Sequence, residues 1–331
     1  MKVVFFEIED WEQRYLRQRL VGHKLEFLSV AEGASDSEAL VLSNFIGVPI
    51  DKNLLSRFPN VKYVTTRSTG FDHIDVKLCA EKNILVSNVP TYGENTVAEF
   101  AFTLLLALSR KLYPAVKRVR EEGLFATAGL RGFDLKGKVL GVVGTGHIGV
   151  HVIKIARGFD MHVVAYDPHP NVELSKSYGF DYMSLEDLLK QSDAVTLHVP
   201  YLPATHHLID KEKFQLFKKG SILINTARGG LVETEALVEA LRSGTLAGAG
   251  LDVLEEEGFI KEEEHLLYQS HPQANQLKTV LADHELMQMD NVLITPHNAF
   301  NSQEALERIL DTTVANVQAF AHGQPINLVK A

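Results

Sequence analysis

Residues Gly144-Thr145-Gly146-His147-Ile148-Gly149 stand between an apolar run, Lys138-Val139-Leu140-Gly141-Val142-Val143, and an amphipathic segment from Ile148 to Phe159. That spacing needs a strand before it and a helix after it. The first glycine makes the tight turn, the second lets a diphosphate approach the backbone, and the third packs helix on strand. Asp167 ends the next apolar run, 18 residues past Gly149. A carboxylate there accepts hydrogen bonds from ribose hydroxyls and repels a 2′-phosphate, so the turn predicts NAD rather than NADP. A bare tight turn with Asp167 capping a loop, or a methyltransferase-type nucleotide site, accounts less well for the third glycine and the helix after it.

The rest of the chain alternates in the same way. Strands are expected at Val3 to Phe6, Leu25 to Ser29, Ala39 to Leu42, Val61 to Thr65 and Ile84 to Val86. A second series is expected at Val139 to Val143, His162 to Tyr166, Ala194 to His198, Ser221 to Asn225, Gly248 to Leu251 and Val292 to Thr295. Strands separated by helical stretches pair in parallel. The 331 residues favour two domains. Asp51 is placed as a helix N-cap, and Thr96-Val97-Ala98-Glu99 reads as a capping box opening a helix that is apolar nearly all round from Phe100 to Leu112. Such a helix is expected to lie between domains or subunits. Ser302 to His322 reads as one long helix, too short to found a third domain, so it is expected to return to the first.

Composition narrows the partners. A net charge of −9 argues against nucleic acid or an anionic membrane as the principal partner. The longest apolar stretch, Phe100 to Leu108, is too short to span a bilayer. The single Cys79 excludes an intrachain disulfide and fits a reducing compartment, with its thiol as a packing group. The short apolar start running into Glu7 shows no export signal, so the cytoplasm is the expected location.

Three polar residues follow expected strands, where ligands gather in open α/β sheets. Arg228, in Asn225-Thr226-Ala227-Arg228-Gly229-Gly230, has the planar fork that grips a carboxylate with two parallel hydrogen bonds. His297, in Thr295-Pro296-His297-Asn298, suits proton transfer near neutral pH. A carboxylate to orient it is expected among Glu255, Glu256 and Glu257, between which pattern does not choose. The adjacent His206 and His207 are not assigned a metal.

Several ordered segments, Arg67-Ser68-Thr69-Gly70-Phe71-Asp72-His73-Ile74-Asp75, Asn88-Val89-Pro90-Thr91-Tyr92-Gly93-Glu94-Asn95-Thr96-Val97-Ala98-Glu99, the glycine turn with Asp167, His198-Val199-Pro200, the Arg228 segment, Gly250-Leu251-Asp252-Val253 and Thr295-Pro296-His297, span nearly the whole chain. Together they resemble the NAD-dependent D-isomer-specific 2-hydroxyacid dehydrogenases, and within them the D-lactate dehydrogenase branch. The resemblance implies a doubly wound parallel-sheet (Rossmann) NAD domain at 98–298, and a smaller flavodoxin-like α/β substrate domain from 1–97 with 299–331. It implies Arg228, Glu257 and His297 as catalytic residues. Gly144, Gly146, His147, Ile148, Gly149, Asp167, His198, Pro200, Thr205, Thr226, Ala227 and Asp252 would contact the cofactor. The backbone amides of Thr69 and Gly70 would bind the substrate carboxylate, with Tyr92 and Phe300 bordering its side chain and Phe45 a further wall. A short apolar substrate such as pyruvate is implied; glyoxylate, hydroxypyruvate, larger 2-oxo acids and a phosphoglycerate-type substrate are the alternatives, and an NADH-sensing corepressor is the non-enzyme one. A homodimer is expected. Asn298 and the acidic stretch Leu254 to Asp290 depart from the branch pattern.

Overall fold

The computed structural model describes residues 1–28, 33–255 and 274–330. The chain divides into two compact units, Met1–Tyr92 with Asn301–Ala331, and Gly93–Phe300.

The first unit holds β1 (Lys2–Phe6), β2 (Lys24–Leu28), β3 (Ala39–Asn44), β4 (Tyr63–Thr66) and β5 (Leu85–Ser87), all parallel in the order β2-β1-β3-β4-β5. This is the flavodoxin-like order. A central parallel strand is covered on both faces, which is why β1 is apolar at successive positions and Val3 to Phe6 are all fully buried. Val3 and Phe5 face one core with Leu16, Tyr63, Leu310, Val314 and Val317; Val4 and Phe6 face the other with Ile50, Leu54, Phe58 and Cys79. Burial pushes the Cys79 thiol up to about 11, which leaves it an unreactive packing group. Asp51 caps its helix by accepting from Leu54 N.

The helix Gln303–Ala321, capped by Ser302, returns to this unit. Its Phe320 ring stacks on Tyr63 at 4.4 Å. Asn316, fully buried, donates to Thr65 Oγ1 and Asn88 O and accepts from Asn327 Nδ2.

The second unit holds β6 (Val139–Val143), β7 (His162–Tyr166), β8 (Asp181–Tyr182), β9 (Ala194–Leu197), β10 (Ser221–Asn225), β11 (Leu246–Leu251) and β12 (Val292–Ile294), all parallel. Their order is β12-β11-β10-β9-β6-β7-β8, the doubly wound arrangement with a seventh strand, in which the direction of winding reverses between β6 and β9. A crevice therefore opens past the carboxyl ends of those two strands. β8 adds a strand to the expected six; two residues beginning with an aspartate give no apolar run to read.

The helix expected from a capping box at Thr96 begins three residues earlier than that cap implies. It spans Glu94–Ser109, with Gly93 as N-cap and Val97 N donating to Gly93 O, so Thr96 lies in its first turn. It ends before Leu112: Lys111 takes the left-handed conformation, φ 49°, and a second helix, Leu112–Glu121, follows. Glu94–Ser109 packs within its own unit, where Ala101, Phe102, Leu104 and Leu105 share a core with Ile153, Ile222 and Ile224. No helix among the described residues is long and apolar enough to cross a membrane.

Replacing Asn316 with alanine removes a fully buried amide from buried Thr65 Oγ1 and from the part-buried Asn88 carbonyl and Asn327 amide, so a loss of about 1–3 kcal/mol in denaturant unfolding is expected. A change below about 0.5 kcal/mol, the scale of a surface substitution, would show that Asn316 does not staple this helix to its sheet.

Candidate active site

At the crevice of the second unit the chain leaves β6 through Gly144, whose φ of 95° favours glycine. A Cβ there would lie 2.6 Å from His198 O, and one on Gly149 would lie 2.0 Å from Gly144 O, so both positions exclude larger residues. Gly146 differs, since its Cβ direction meets nothing within 4 Å. It is the N-cap of the helix His147–Gly158, and no side chain caps that end. The start of a helix with its amide groups uncapped and open space before it suits an anion, which fits these residues to a dinucleotide diphosphate. His147 is exposed and Ile148 half-buried in the same first turn.

Asp167 follows β7. Its Oδ2 accepts from Thr145 N at 2.8 Å and Thr145 Oγ1 at 3.0 Å, and its Oδ1 accepts from His169 N at 2.9 Å. Burial alone would raise its pKa, but these donors prevail and hold the carboxyl below its usual value. Thr145 Oγ1 is also bonded to Tyr182 OH at 2.8 Å, so β8 closes the back of this corner. On the β9 side His198 N donates to Val143 O, and its Nε2 is 2.8 Å from Thr196 Oγ1. Burial lowers the His198 imidazole to about 3, so it is neutral at physiological pH. Thr205 Oγ1 donates to Pro200 O and accepts from Leu202 N, closing the turn from Pro200 to Thr205.

The exits of β10, β11 and β12 form one knot. Asn225 Oδ1 accepts from Ala227 N, and its Nδ2 donates to Arg228 O, which shapes the turn. Arg228 Nη1 donates to Ala227 O at 2.7 Å. Thr226 is buried, and its Oγ1 has no hydrogen-bond partner among the described residues. Asp252 N donates to Asn225 O, while Asp252 O accepts from His297 N at 2.9 Å. The Asp252 carboxylate has no solvent exposure and accepts from Thr295 Oγ1, Asn298 N and Ala299 N. Burial raises its pKa, opposed by those donors and the charge of His297. His297 sits at φ 53°, a conformation uncommon outside glycine and concentrated where surroundings enforce it. Phe300, half-buried, lies three residues further on. Glu257 lies outside the described residues, as does Glu256, whereas Glu255 is described and bonded to Thr234 Oγ1 and His207 Nε2.

In the first unit the loop after β4 starts at Arg67, 2% exposed, whose Nη2 donates to Phe6 O and Glu7 O at 2.7 Å. Burial lowers its guanidinium to about 10, with Glu12 and Glu7 opposing, so it stays cationic. Thr69 Oγ1 donates to Val89 O and Asn88 Nδ2 to Thr69 O, pinning the loop, while the amides of Thr69 and Gly70 donate to no acceptor among the described residues. Glu7, at φ 54°, accepts from Phe45 N and Gly47 N and so sets the backbone at Phe45. Tyr92 is half-buried, and its carbonyl accepts from Arg308 Nε at 2.6 Å.

Comparison with known proteins bears on this geometry. Residues 102–299 match the family model described as D-isomer specific 2-hydroxyacid dehydrogenase, NAD binding domain. The chain belongs to that family. It is 37% identical over 334 residues to 2-hydroxyacid dehydrogenase A of Aspergillus oryzae, covering 97% of this chain and 92% of that protein. It is 35% identical to a glyoxylate reductase of Korarchaeum cryptofilum, covering 98% and 90%. A solved D-lactate dehydrogenase from Aquifex aeolicus, complexed with NAD and lactic acid, superposes with a TM-score of 0.86 at 36% identity, covering 97% of this chain and 96% of that one. The protein is therefore an NAD-dependent oxidoreductase, and the part of the second unit from 102 to 299 matches the NAD-binding domain of that family.

Several groups that shape these turns and loops within each unit carry no sequence signal. Tyr182 lies in a strand too short to read, and Asn225 looks like an ordinary strand end. Arg67 and Glu7 are distant in sequence from each other and from the loops they shape.

Because hydrogen bonds hold the Asp167 carboxyl below its unfolded value, its ionised form stabilises the fold; that contribution is full above about pH 4 and is lost as pH falls through the folded pKa. Asp167→Asn is expected to lower the urea midpoint at neutral pH, with the gap to wild type shrinking below about pH 4. A gap equally wide in acid would contradict the ionic origin of the effect.

Proposed function

We propose that this enzyme reduces a short apolar 2-oxo acid, pyruvate foremost, to the D-2-hydroxy acid. The observation that carries the reading is the bond from His297 N to Asp252 O, which sets a left-handed histidine at the exit of β12; the same Asp252, at the intervening β11 exit, donates its N–H to Asn225 O at the β10 exit that leads to Arg228. When bound, NADH supplies the hydride that reduces the C2 carbonyl. Gly144, Gly146, His147, Ile148, Gly149, Asp167, His198, Pro200, Thr205, Thr226, Ala227 and Asp252 are proposed to hold it, with the open turn at Gly146 facing the diphosphate. His297 gives its proton to the carbonyl oxygen in reduction and takes it back in oxidation. Arg228 grips the substrate carboxylate and polarises the carbonyl. Glu257 keeps His297 protonated and oriented. In the first unit, the unbonded amides of Thr69 and Gly70 support their proposed role as carboxylate donors.

Tyr92, Phe300 and Phe45 are proposed to border the substrate side chain, which favours a methyl group over a phosphate. The D-lactate dehydrogenase in complex with lactic acid supports that substrate class, while the glyoxylate reductase among the relatives supports glyoxylate as the second reading. The first unit is proposed as the substrate domain. We also propose a cytoplasmic homodimer. Leu112, Tyr113, Val116, Val119 and Leu124 are 43–56% exposed and Phe125 is 97% exposed, an apolar face that a second copy would cover.

NADH oxidation with pyruvate, glyoxylate, hydroxypyruvate, phenylpyruvate and 2-oxoisocaproate, alongside a His297→Ala control, tests the reading. Pyruvate is expected to give the highest kcat/KM, and the control is expected to lose at least about a hundredfold, the scale of a lost general acid. A preference for glyoxylate would move the substrate assignment. An active control would remove His297 from the chemistry, and a monomer by light scattering would remove the dimer.

A further inference from the structure

Of three successive glutamates, Glu255 is the one whose contacts are described, and they point away from acid-base chemistry. Its Oε2 accepts from Thr234 Oγ1 at 2.8 Å and from Thr234 N at 3.4 Å, at the start of the helix Thr234–Arg242. Its Oε1 meets His207 Nε2. The two side chains are 15% and 31% exposed, so the pair is partly shielded from water.

The same two residues grip the Arg228 turn through the backbone. A Cβ on Gly229 would lie 2.0 Å from the carbonyl carbon and oxygen of Leu254 and 2.4 Å from Glu255 N. The segment entering the acidic run is thus pressed against the turn, and only glycine permits it. From the other side, His207 N donates to Gly230 O at 2.8 Å. A Cβ on Gly230 would meet the Tyr201 ring at 2.8 Å, and Tyr201 OH is bonded to His206 Nδ1, whose ring stacks on His207 at 3.9 Å. His207 itself sits at φ 49°. Such a conformation is strained for a residue with a Cβ and persists where the surroundings over-determine it.

We propose that His207 and Glu255 form a positioning pair for Arg228. The side-chain bond closes a loop that runs from the Arg228–Gly230 turn through the His207 backbone, across to Glu255, and back through the Leu254–Gly229 contact. Asn225 holds the turn at one end, and the pair holds it at the other. The pair also joins the turn to the Pro200 to Thr205 segment, which ends two residues before His207. Neither residue touches substrate in this assignment. Their effect is on how the guanidinium is aimed, so it should fall on the carboxylate that Arg228 holds.

The inference rests on the 2-oxo acid reading, and the test separates the two. His207→Ala, Glu255→Ala and the double variant are compared in pyruvate KM and kcat, NADH binding by fluorescence, oxamate binding to the NADH complex, and thermal melting. For coupled neighbours of this kind, His207→Ala is expected to raise pyruvate KM and weaken oxamate about tenfold, with NADH affinity within about twofold. Adding His207→Ala to Glu255→Ala is expected to change nothing further. His207→Gln, which can place an amide nitrogen near the position of Nε2, is expected to recover most of the loss.

Additive effects, an unchanged KM in a folded His207→Ala enzyme, or an equal fall in NADH affinity would overturn the pair. A Glu255→Gln variant that loses kcat and the alkaline limb of the reduction profile, with His207→Ala unaffected, would overturn it too, making Glu255 the acid-base partner. Should wild type turn over no 2-oxo acid, the proposed function fails. The pair is then judged by the same cycle read in thermal melting, where additivity sinks it and non-additivity upholds it.

Discussion

Asp252 is a carboxylate sealed from solvent, and the chemistry-bearing end of the NAD-binding unit is organised around it. Its main chain bridges the exits of β10 and β12 through Asn225 O and His297 N, and its side chain accepts from Thr295, Asn298 and Ala299. A buried carboxylate is costly unless its lone pairs are met, and here backbone amides and a hydroxyl meet them. That requirement dictates the path of residues 295–299, and His297 is carried into a left-handed conformation as a result. The side-chain bonds of Asp252 go to the β12 exit, at Thr295, Asn298 and Ala299. Its first effect on function is to place the proposed proton donor.

Glycine does for the turn proposed to meet the cofactor what Asp252 does for the exit of β12. Gly144 and Gly149 allow strand, turn and helix to close without a side chain between them, and Gly146 leaves the open approach. Gly229 plays the same part under the Arg228 turn, where any Cβ would collide with Leu254. The site is therefore defined as much by where side chains are excluded as by the groups that would act.

The central strands of both units were legible because strands buried on both faces carry unbroken apolar runs, as Val3 to Phe6 and Ile222 to Ile224 illustrate. The glycine turn and Asp167 were legible because their spacing is dictated by local geometry. β8 was not, because two residues carry no periodicity. The helix start at Glu94 was misread since Thr96 and Glu99 have capping chemistry, yet Gly93 supplies the first helical carbonyl. The work of His207, Asn225, Arg67 and Glu7 was hidden for a different reason. Each acts on backbone brought near by the tertiary fold or by a local turn, and a polar residue in a loop looks the same whether it is solvated or holding one.

In the proposed mechanism the histidine held by Asp252 carries the proton to and from the substrate oxygen. The most direct measurement is the pH dependence of kcat/KM in both directions, with pyruvate and with D-lactate. Reduction requires the protonated imidazole, so kcat/KM should fall as pH rises; oxidation requires the neutral one, so it should fall as pH drops. Profiles that mirror each other in this way are the predicted result, whereas profiles of the same shape in both directions would contradict the assignment of His297.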